Sequence, residues 1–414
     1  MNVTEIVIVI FFITTVSIVL ELIVRSLVFS TRKEFQWFIT KNDELPDFSK
    51  EGLKKFLIHG YDPELGWVRK PNTKHDENGK YGITQWSINE KGARTNPDFK
   101  DKKSNISCYG DSFTFARQVN NNETWEHQLS KNTDTNVQNF GVGNYGIDQA
   151  LLRLKRDFFE NKTKIVIMGV VPDTISRILC VWKHYSEYGN TFGFKPRFIL
   201  RNNLICLIRN PINDEKKFLK YHKYLDVIRK HDYFYEEKFK KDIIKFPYTI
   251  SIFKNTKRNF AIIYWVRKIR KLKKENKDVK HLEWEAMKYV MKQNLEWRVR
   301  LFHDNYTKRL LKKIFEEYVK FSREQNFKAV FLFIPQKDDL IFIKNNFHFY
   351  KKFYNELESI NDLIVIDITE DLLKESDLDG LYSDNNDYGG HYSREGNKKI
   401  ADIIVEKMEN LNLI

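Results

Sequence analysis

Residues Asn105–Val119 read NISCYGDSFTFARQV, and the middle of that stretch decides the fold. Ile106–Tyr109 is a short apolar run that stops at Gly110, Asp111 and Ser112, after which aromatics resume at Phe113 and Phe115. Such a run closing on glycine, an acid and serine is how a buried strand hands a polar turn to the edge of a sheet. At that point Ser112 has two readings, a nucleophile or a polar residue in a tight turn.

Outward from this turn the chain alternates strand and helix signals. ETWEHQLSK is amphipathic, TNVQNFGV is a strand ending at glycine, and IDQALLRLKRDFFE carries helical apolar spacing from Ile147 to Phe159. TKIVIMGVV is a buried strand, and FKAVFLFIP and LIVIDIT repeat the signal much later. One helix over Leu340–Glu358 is expected between those two, and a last one over about Arg394–Glu409, with Ser393 as its N-cap. Alternation of this kind predicts a parallel sheet with helices on both faces. Ligands bind such sheets at the carboxyl ends of the strands. Ser112, Asn144 and the Pro172 loop fall at that edge.

The remainder is organised around this core. Residues 1–30 are expected to form a transmembrane anchor with its flank, 31–104 a juxtamembrane linker and N-terminal extension, and 105–184 the first part of the core. Residues 185–300 read as a basic helical insertion and 301–414 as the second part of the core. Ile6–Val24 is nearly all apolar, and its 19 residues span about 28 Å as helix, close to the hydrocarbon thickness of a bilayer. A cleaved signal peptide is the rival, but the start MNVTE lacks a basic region and the exit ELIVRSLVF lacks the spaced pair of small residues of a cleavage site. Arg25, Arg32 and Lys33 follow the span, which argues for a cytoplasmic domain.

The net charge of +14 sits largely in the insertion, where Lys254–Lys280 holds eleven Lys/Arg and two acids. There Ile262, Trp265, Val266, Ile269 and Leu272 share one helical stripe with the cations largely off it. Two readings stand: a helix docked on the protein with a solvated basic face, or contact with an anionic bilayer surface. No nucleic-acid module accompanies the charge, and no nucleic acid is expected. Cys108, Cys180 and Cys206 make no disulfide framework, and no His/Cys spacing suits zinc, so neither metal nor cofactor is expected.

Serine needs a base to take its proton, and the base needs a third group to orient it. His127 and His281 lie in helical or inserted sequence, whereas His391 lies in SDNNDYGGHYSREGNKKIA, a glycine-rich loop just before the last helix. Asp387 and Asp384 precede it closely enough to orient its ring.

Together, GDSFTF, NFGVGNYGIDQALLRL and GGHYSREGNKKIA resemble the three blocks of the SGNH (GDSL-type) hydrolases. YDPELGWVRKPN and INEKGARTN resemble the membrane-anchored branch of that superfamily. The resemblance covers most of the chain after Tyr61, apart from the basic insertion. It implies a flavodoxin-like three-layer α/β/α sandwich and an esterase, lipase, carbohydrate acetylesterase or O-acyltransferase. It makes Ser112 the nucleophile, His391 the base, and the backbone N–H groups of Ser112, Gly143 and Asn144 the oxyanion donors. Asp111 is expected to cap the turn. The chain departs from the pattern in three places. Asn144 stands where glycine is usual, Pro172 where an asparagine donor is usual, and Tyr388 where the aspartate is usual, with Asp387 one residue earlier. The implied partners are a bilayer and an ester-bearing substrate, a surface glycan among the candidates; such a surface role argues for an exterior domain against the charges that follow the span, and the expectation leans to the exterior. The rival reading is a degenerate domain that binds glycan or assembles without turnover.

Overall fold

A computed structural model describes residues 2–414, and five parallel strands form its main sheet. In chain order the elements of this core are β1 (Ile106–Gly110), α1 (Trp125–Thr133), β2 (Val137–Asn139), α2 (Ile147–Asp157) and β3 (Ile165–Val170). After the insertion come α3 (Asn305–Gln325), β4 (Lys328–Phe333), α4 (Lys337–Asn345), α5 (Lys351–Glu358), β5 (Leu363–Asp367) and α6 (Arg394–Asn410). The spatial order β2-β1-β3-β4-β5 is that of flavodoxin-like sheets, with its switch point between β1 and β3.

All residues of β1 and β3 are buried, as a strand covered on both faces requires. On one face α1 packs against α6, and Cys108, Ile167, Trp125, Leu129, Ile400 and Ile404 share a core there. On the other, α3 packs against α2 and α5, and its Tyr318 hydroxyl donates to the Val166 carbonyl at 2.8 Å. The three layers expected from the alternation are present. Gly110 is opposite Gly169 in register, and a Cβ on Gly110 would lie 1.8 Å from the Gly169 carbonyl oxygen. Only glycine lets β1 and β3 close on each other at the edge that carries Ser112.

Two local expectations are corrected. The single helix over Leu340–Glu358 is two, α4 and α5, broken at Asn346 (φ −136°, ψ −101°), where Phe349 and Tyr350 turn into the core. The insertion is not wholly helical either: Arg197–Arg201 and Leu204–Ile208 pair as an antiparallel hairpin. Its turn residues Asn202 and Asn203 both have positive φ, the geometry of a tight two-residue hairpin turn that asparagine tolerates.

The chain forms two compact units. The larger comprises residues 50–183, 192–231 and 295–414, and so holds the whole sheet. It also includes the hairpin Lys74–Gly79/Gly82–Ser87 of the N-terminal extension. The other comprises the chain up to Ser49 with residues 184–191 and 232–294. In it the helix Val3–Glu34 is long and apolar enough to cross a membrane. Its far end is built into a core: Val28 is fully buried with Phe35 and Phe38 against Ile262, Ile263 and Val266 of the basic helix Thr256–Lys274. The apolar stripe of that helix is thus used in packing.

Candidate active site

β1 ends at Gly110, and Asp111 shapes the turn that carries Ser112. Its Oδ1 accepts the Phe113 N–H at 2.8 Å, closing that turn locally, while its Oδ2 accepts the Val171 N–H and the Arg177 Nη1–H, each at 3.0 Å. Asp111 therefore ties the turn after β1 to the end of β3. Burial pushes its pKa up, and Arg177 and the backbone N–H groups oppose that shift. Arg177 also donates to Asp173 Oδ2 at 2.9 Å, so the Pro172 loop is held by an ion-paired network and brings no side-chain amide to the edge.

Ser112 is 6% exposed, and its Oγ lies 2.8 Å from His391 Nε2. The two residues come from turns 279 positions apart. On the histidine side, Tyr382 and Tyr392 bridge in antiparallel fashion, and the Ser383 N–H donates to the His391 carbonyl at 2.8 Å. Gly389 and Gly390 take φ of +60° and +66°. A Cβ on Gly390 would strike Ser383 Oγ at 2.3 Å, so the loop tip turns only with glycine there. The ring is half-buried against Phe113, centroid to centroid 4.7 Å.

Behind the ring stands Gln118, not an acid. Its Oε1 accepts from His391 Nδ1–H at 2.9 Å, from the His391 backbone N–H at 3.0 Å and from the Ser383 hydroxyl at 2.9 Å. The His391 backbone N–H can only donate, which identifies the atom as the amide oxygen; Nδ1, facing the same oxygen, is then assigned the proton. The Nε2 lone pair is then left to accept the Ser112 hydroxyl. This corrects the expectation for Asp387 and Asp384. The Gly389–Gly390 turn sends residues 384–388 away from the ring, and Asp387 ends exposed at the loop tip. Asp384 donates its backbone N–H to the Gly389 carbonyl at 2.8 Å, inside the loop. Among the described residues neither carboxylate bonds the imidazole.

Gln118 lies only six residues after Ser112 and escapes a sequence reading because its placement is conformational. Ala116 and Gln118 both have positive φ (+53° and +68°), which folds the chain back under His391. The one available signal is its place in the opening stretch, just past the apolar-aromatic block.

The N-terminal extension completes the walls. Trp67 Nε1–H donates to the Gly143 carbonyl at 2.8 Å, holding the loop after β2. In that loop Asn144 has φ +64°, a left-handed geometry that asparagine, like the glycine usual at this place, tolerates. Among the described residues the backbone N–H groups of Ser112, Gly143 and Asn144 have no hydrogen-bond partner. Arg69, two residues after Trp67, places its guanidinium carbon 4.5 and 4.7 Å from the ring centroids of Trp86 and Phe115. Arg117 pairs with Glu77 of the hairpin. His391 is held well below the usual imidazole range, first by burial and then by the fields of Arg117, Arg177 and Arg69. The imidazole therefore rests neutral, the state a general base needs.

Three solved structures resemble this chain in comparisons of fold. One is a protein described as lipolytic, of the G-D-S-L family, from Desulfitobacterium hafniense DCB-2: 12% identity, 73% of this chain and 98% of that chain covered, TM-score 0.32. The second is the acetyl xylan esterase AlAXEase, at 12% identity, 73% and 98% coverage and TM-score 0.35. The third is a lipase/acylhydrolase from Enterococcus faecalis, at 10% identity, 74% and 96% coverage and TM-score 0.34. No family model matches the chain, and no curated protein matches it in sequence.

Among the described residues no group of three His, Cys, Asp or Glu side chains could hold a metal ion. The chemistry open to this arrangement is that of a hydroxyl, a neutral imidazole and oriented backbone N–H groups.

Proposed function

We propose that the protein is a membrane-anchored serine esterase or O-acyltransferase of SGNH type. Ser112 Oγ attacks an ester carbonyl as His391 Nε2 takes its proton. The backbone N–H groups of Ser112, Gly143 and Asn144 receive the charge that develops on the carbonyl oxygen. The alcohol leaves with the proton from His391, and the acyl-serine is released to water or to a second hydroxyl. The observation that carries this reading is the 2.8 Å contact between Ser112 Oγ and His391 Nε2, with Nδ1–H already committed to Gln118. O-acyl groups on cell-surface polysaccharide are the substrate class we assign. Hydrolysis of 4-nitrophenyl acetate by the full chain in detergent tests it: activity is abolished in Ser112→Ala and His391→Ala. Activity surviving in Ser112→Ala contradicts the reading.

One observation favours a second reading, a domain that binds acyl-glycans without turnover. The group behind the imidazole is a neutral amide, which stabilises an imidazolium less than a carboxylate does. Folded wild type that shows no esterase or transferase activity supports it.

The helix Val3–Glu34 acts as an uncleaved anchor in this proposal, since Val28 and Thr31 at its far end are packed inside the protein. Glu21 accepts the Thr249 N–H at 3.0 Å and the Thr249 hydroxyl at 2.7 Å, joining the span to the short helix Tyr248–Ser251. Phe246, Ile250, Phe253 and Tyr264 nearby are exposed, and the cations Arg267, Arg270, Lys271 and Lys273 are exposed on the basic helix. We read this as a surface that rests on anionic lipid beside the anchor. A cysteine placed at Phe253 loses reactivity toward an impermeant thiol reagent in anionic proteoliposomes relative to detergent. Equal reactivity removes the lipid contact. Arg32 is paired with Asp43 (2.7 Å), which weakens its vote for a cytoplasmic domain. An exterior sheet unit is proposed, and protease access on intact cells decides it.

A further inference from the structure

The arginines around the candidate active site differ in one respect. Arg117 is paired with Glu77, and Arg177 with Asp111 and Asp173. Arg153 is bonded to Asp157 and to the carbonyls of Phe140 and Gly92. Arg94 donates to three backbone carbonyls, those of Phe115, Ala116 and Val119. Arg69 stands alone: among the described residues no hydrogen bond or ion pair reaches its guanidinium, and its Nε is buried without a partner. It lies against the rings of Trp86 and Phe115, which meet edge to face, so the group is held in place without being neutralised. Burial, Arg117 and Arg153 push its pKa down to about 10, and no carboxylate offsets them.

An unpaired, half-buried cation costs stability, and the cost is recovered where an anion binds it. Arg69 faces the right place for that. Its Nη2 lies 3.7 Å from where a Cβ of Gly143 would stand, beside the loop that carries the Gly143 and Asn144 N–H groups. Its field also reaches His391. The site is thus a neutral base, an amide in third position and a guanidinium that, among the described residues, has no hydrogen-bond or ion-pair partner. A neutral ester leaves that charge unmatched, whereas an ester that also carries an anionic group matches it.

We propose that Arg69 is a substrate-binding residue that receives a carboxylate or phosphate group carried by the substrate, beside the Gly143–Asn144 loop. This rests on the esterase reading for the word substrate, and on Arg69 alone for the anion. A planar guanidinium fixed by two rings presents its N–H groups as a fork, which suits both oxyanions. The substrate class is then an acylated acidic saccharide, with the charge on a uronate or on a phosphodiester.

The test separates binding from turnover. Full-length Ser112→Ala protein in detergent is titrated calorimetrically with inorganic phosphate and, separately, with acetate, at constant ionic strength. Saturable phosphate binding, weakened at least about tenfold by Arg69→Gln and less by Arg69→Lys, is the expected result. No saturable heat with either anion, or equal affinity in Arg69→Gln, overturns the proposal. Tighter phosphate than acetate assigns the phosphodiester source and the reverse assigns the uronate. Should Arg69→Gln fail to fold, Arg69→Lys decides in its place, because it keeps the charge and loses the fork: unchanged affinity overturns the proposal. Phosphate bound through Arg69 in a protein without esterase activity leaves the anion site standing and removes only the esterase reading.

Discussion

Gln118 Oε1 lies 2.9 Å from His391 Nδ1, so an amide occupies the place behind the imidazole where a carboxylate is more familiar. An amide can fix the tautomer but adds no charge to stabilise the imidazolium. Replacing Gln118 with Ala frees the ring, and kcat falls by roughly 10²-fold. Replacing it with Glu places a charge beside Nδ1 and moves the acid limb of the kcat/KM profile to higher pH by about one unit or more. A profile identical to wild type in Gln118→Glu would show that this contact does not govern the base.

The depressed pKa of His391 fixes a sign for pH dependence. The neutral imidazole is the active form, and burial with Arg117, Arg177 and Arg69 keeps it neutral below the usual histidine range. Esterase activity is therefore flat from about pH 8 down past 6.5 and declines only at more acid pH. The unfolded chain takes up the proton first as pH falls, so this group's contribution to stability is complete above about 6.5 and is lost below it. Denaturant unfolding at stepped pH checks it: His391→Gln flattens part of the acid-side loss, and an unchanged slope refutes the assignment.

Asn144 holds φ +64°, a conformation glycine and asparagine accept and β-branched residues do not. Asn144→Gly keeps kcat within about threefold, because only the backbone N–H is used. Asn144→Val drives the loop out of the left-handed region and loses about 10²-fold in kcat with little change in KM. Equal kcat in the two variants would exclude this N–H from the reaction.

Gly110 abuts Gly169 so closely that no side chain fits. Gly110→Ala parts β1 from β3 at the edge that carries Ser112 and destabilises the protein by about 3 kcal/mol. Urea unfolding of the isolated variant reads this directly, and an unchanged midpoint contradicts the packing described.

The sheet was legible in the sequence because each strand is buried on both faces and reads as an unbroken apolar run, as in IVIMGV and KAVFLF. Ser112 and His391 were legible for a different reason: each sits where such a run gives way to glycine and polar residues. The third group was not. Asp387 is nearer to His391 along the chain, but two glycines in left-handed geometry turn it outward, while two positive-φ residues fold Gln118 inward. No periodicity reports a single φ. Arg69 was hidden likewise, since a lone arginine in a loop looks solvated until Trp86 and Phe115, which meet edge to face, are found packed against it. The hairpin at Arg197–Ile208 lies inside a stretch that is helical and basic on either side, and its Asn-Asn turn is the one local signal for it. The break between α4 and α5 depends on the burial of Phe349 and Tyr350, a tertiary preference that local spacing does not carry.

The proposed chemistry requires Ser112 to be a hydroxyl that His391 can deprotonate. An active-site-directed fluorophosphonate, with mass spectrometry of the digested full-length protein, measures that directly. One adduct on Ser112, absent in His391→Ala, is the predicted result. Folded wild-type protein that stays unlabelled, or an adduct on any other residue, would contradict it.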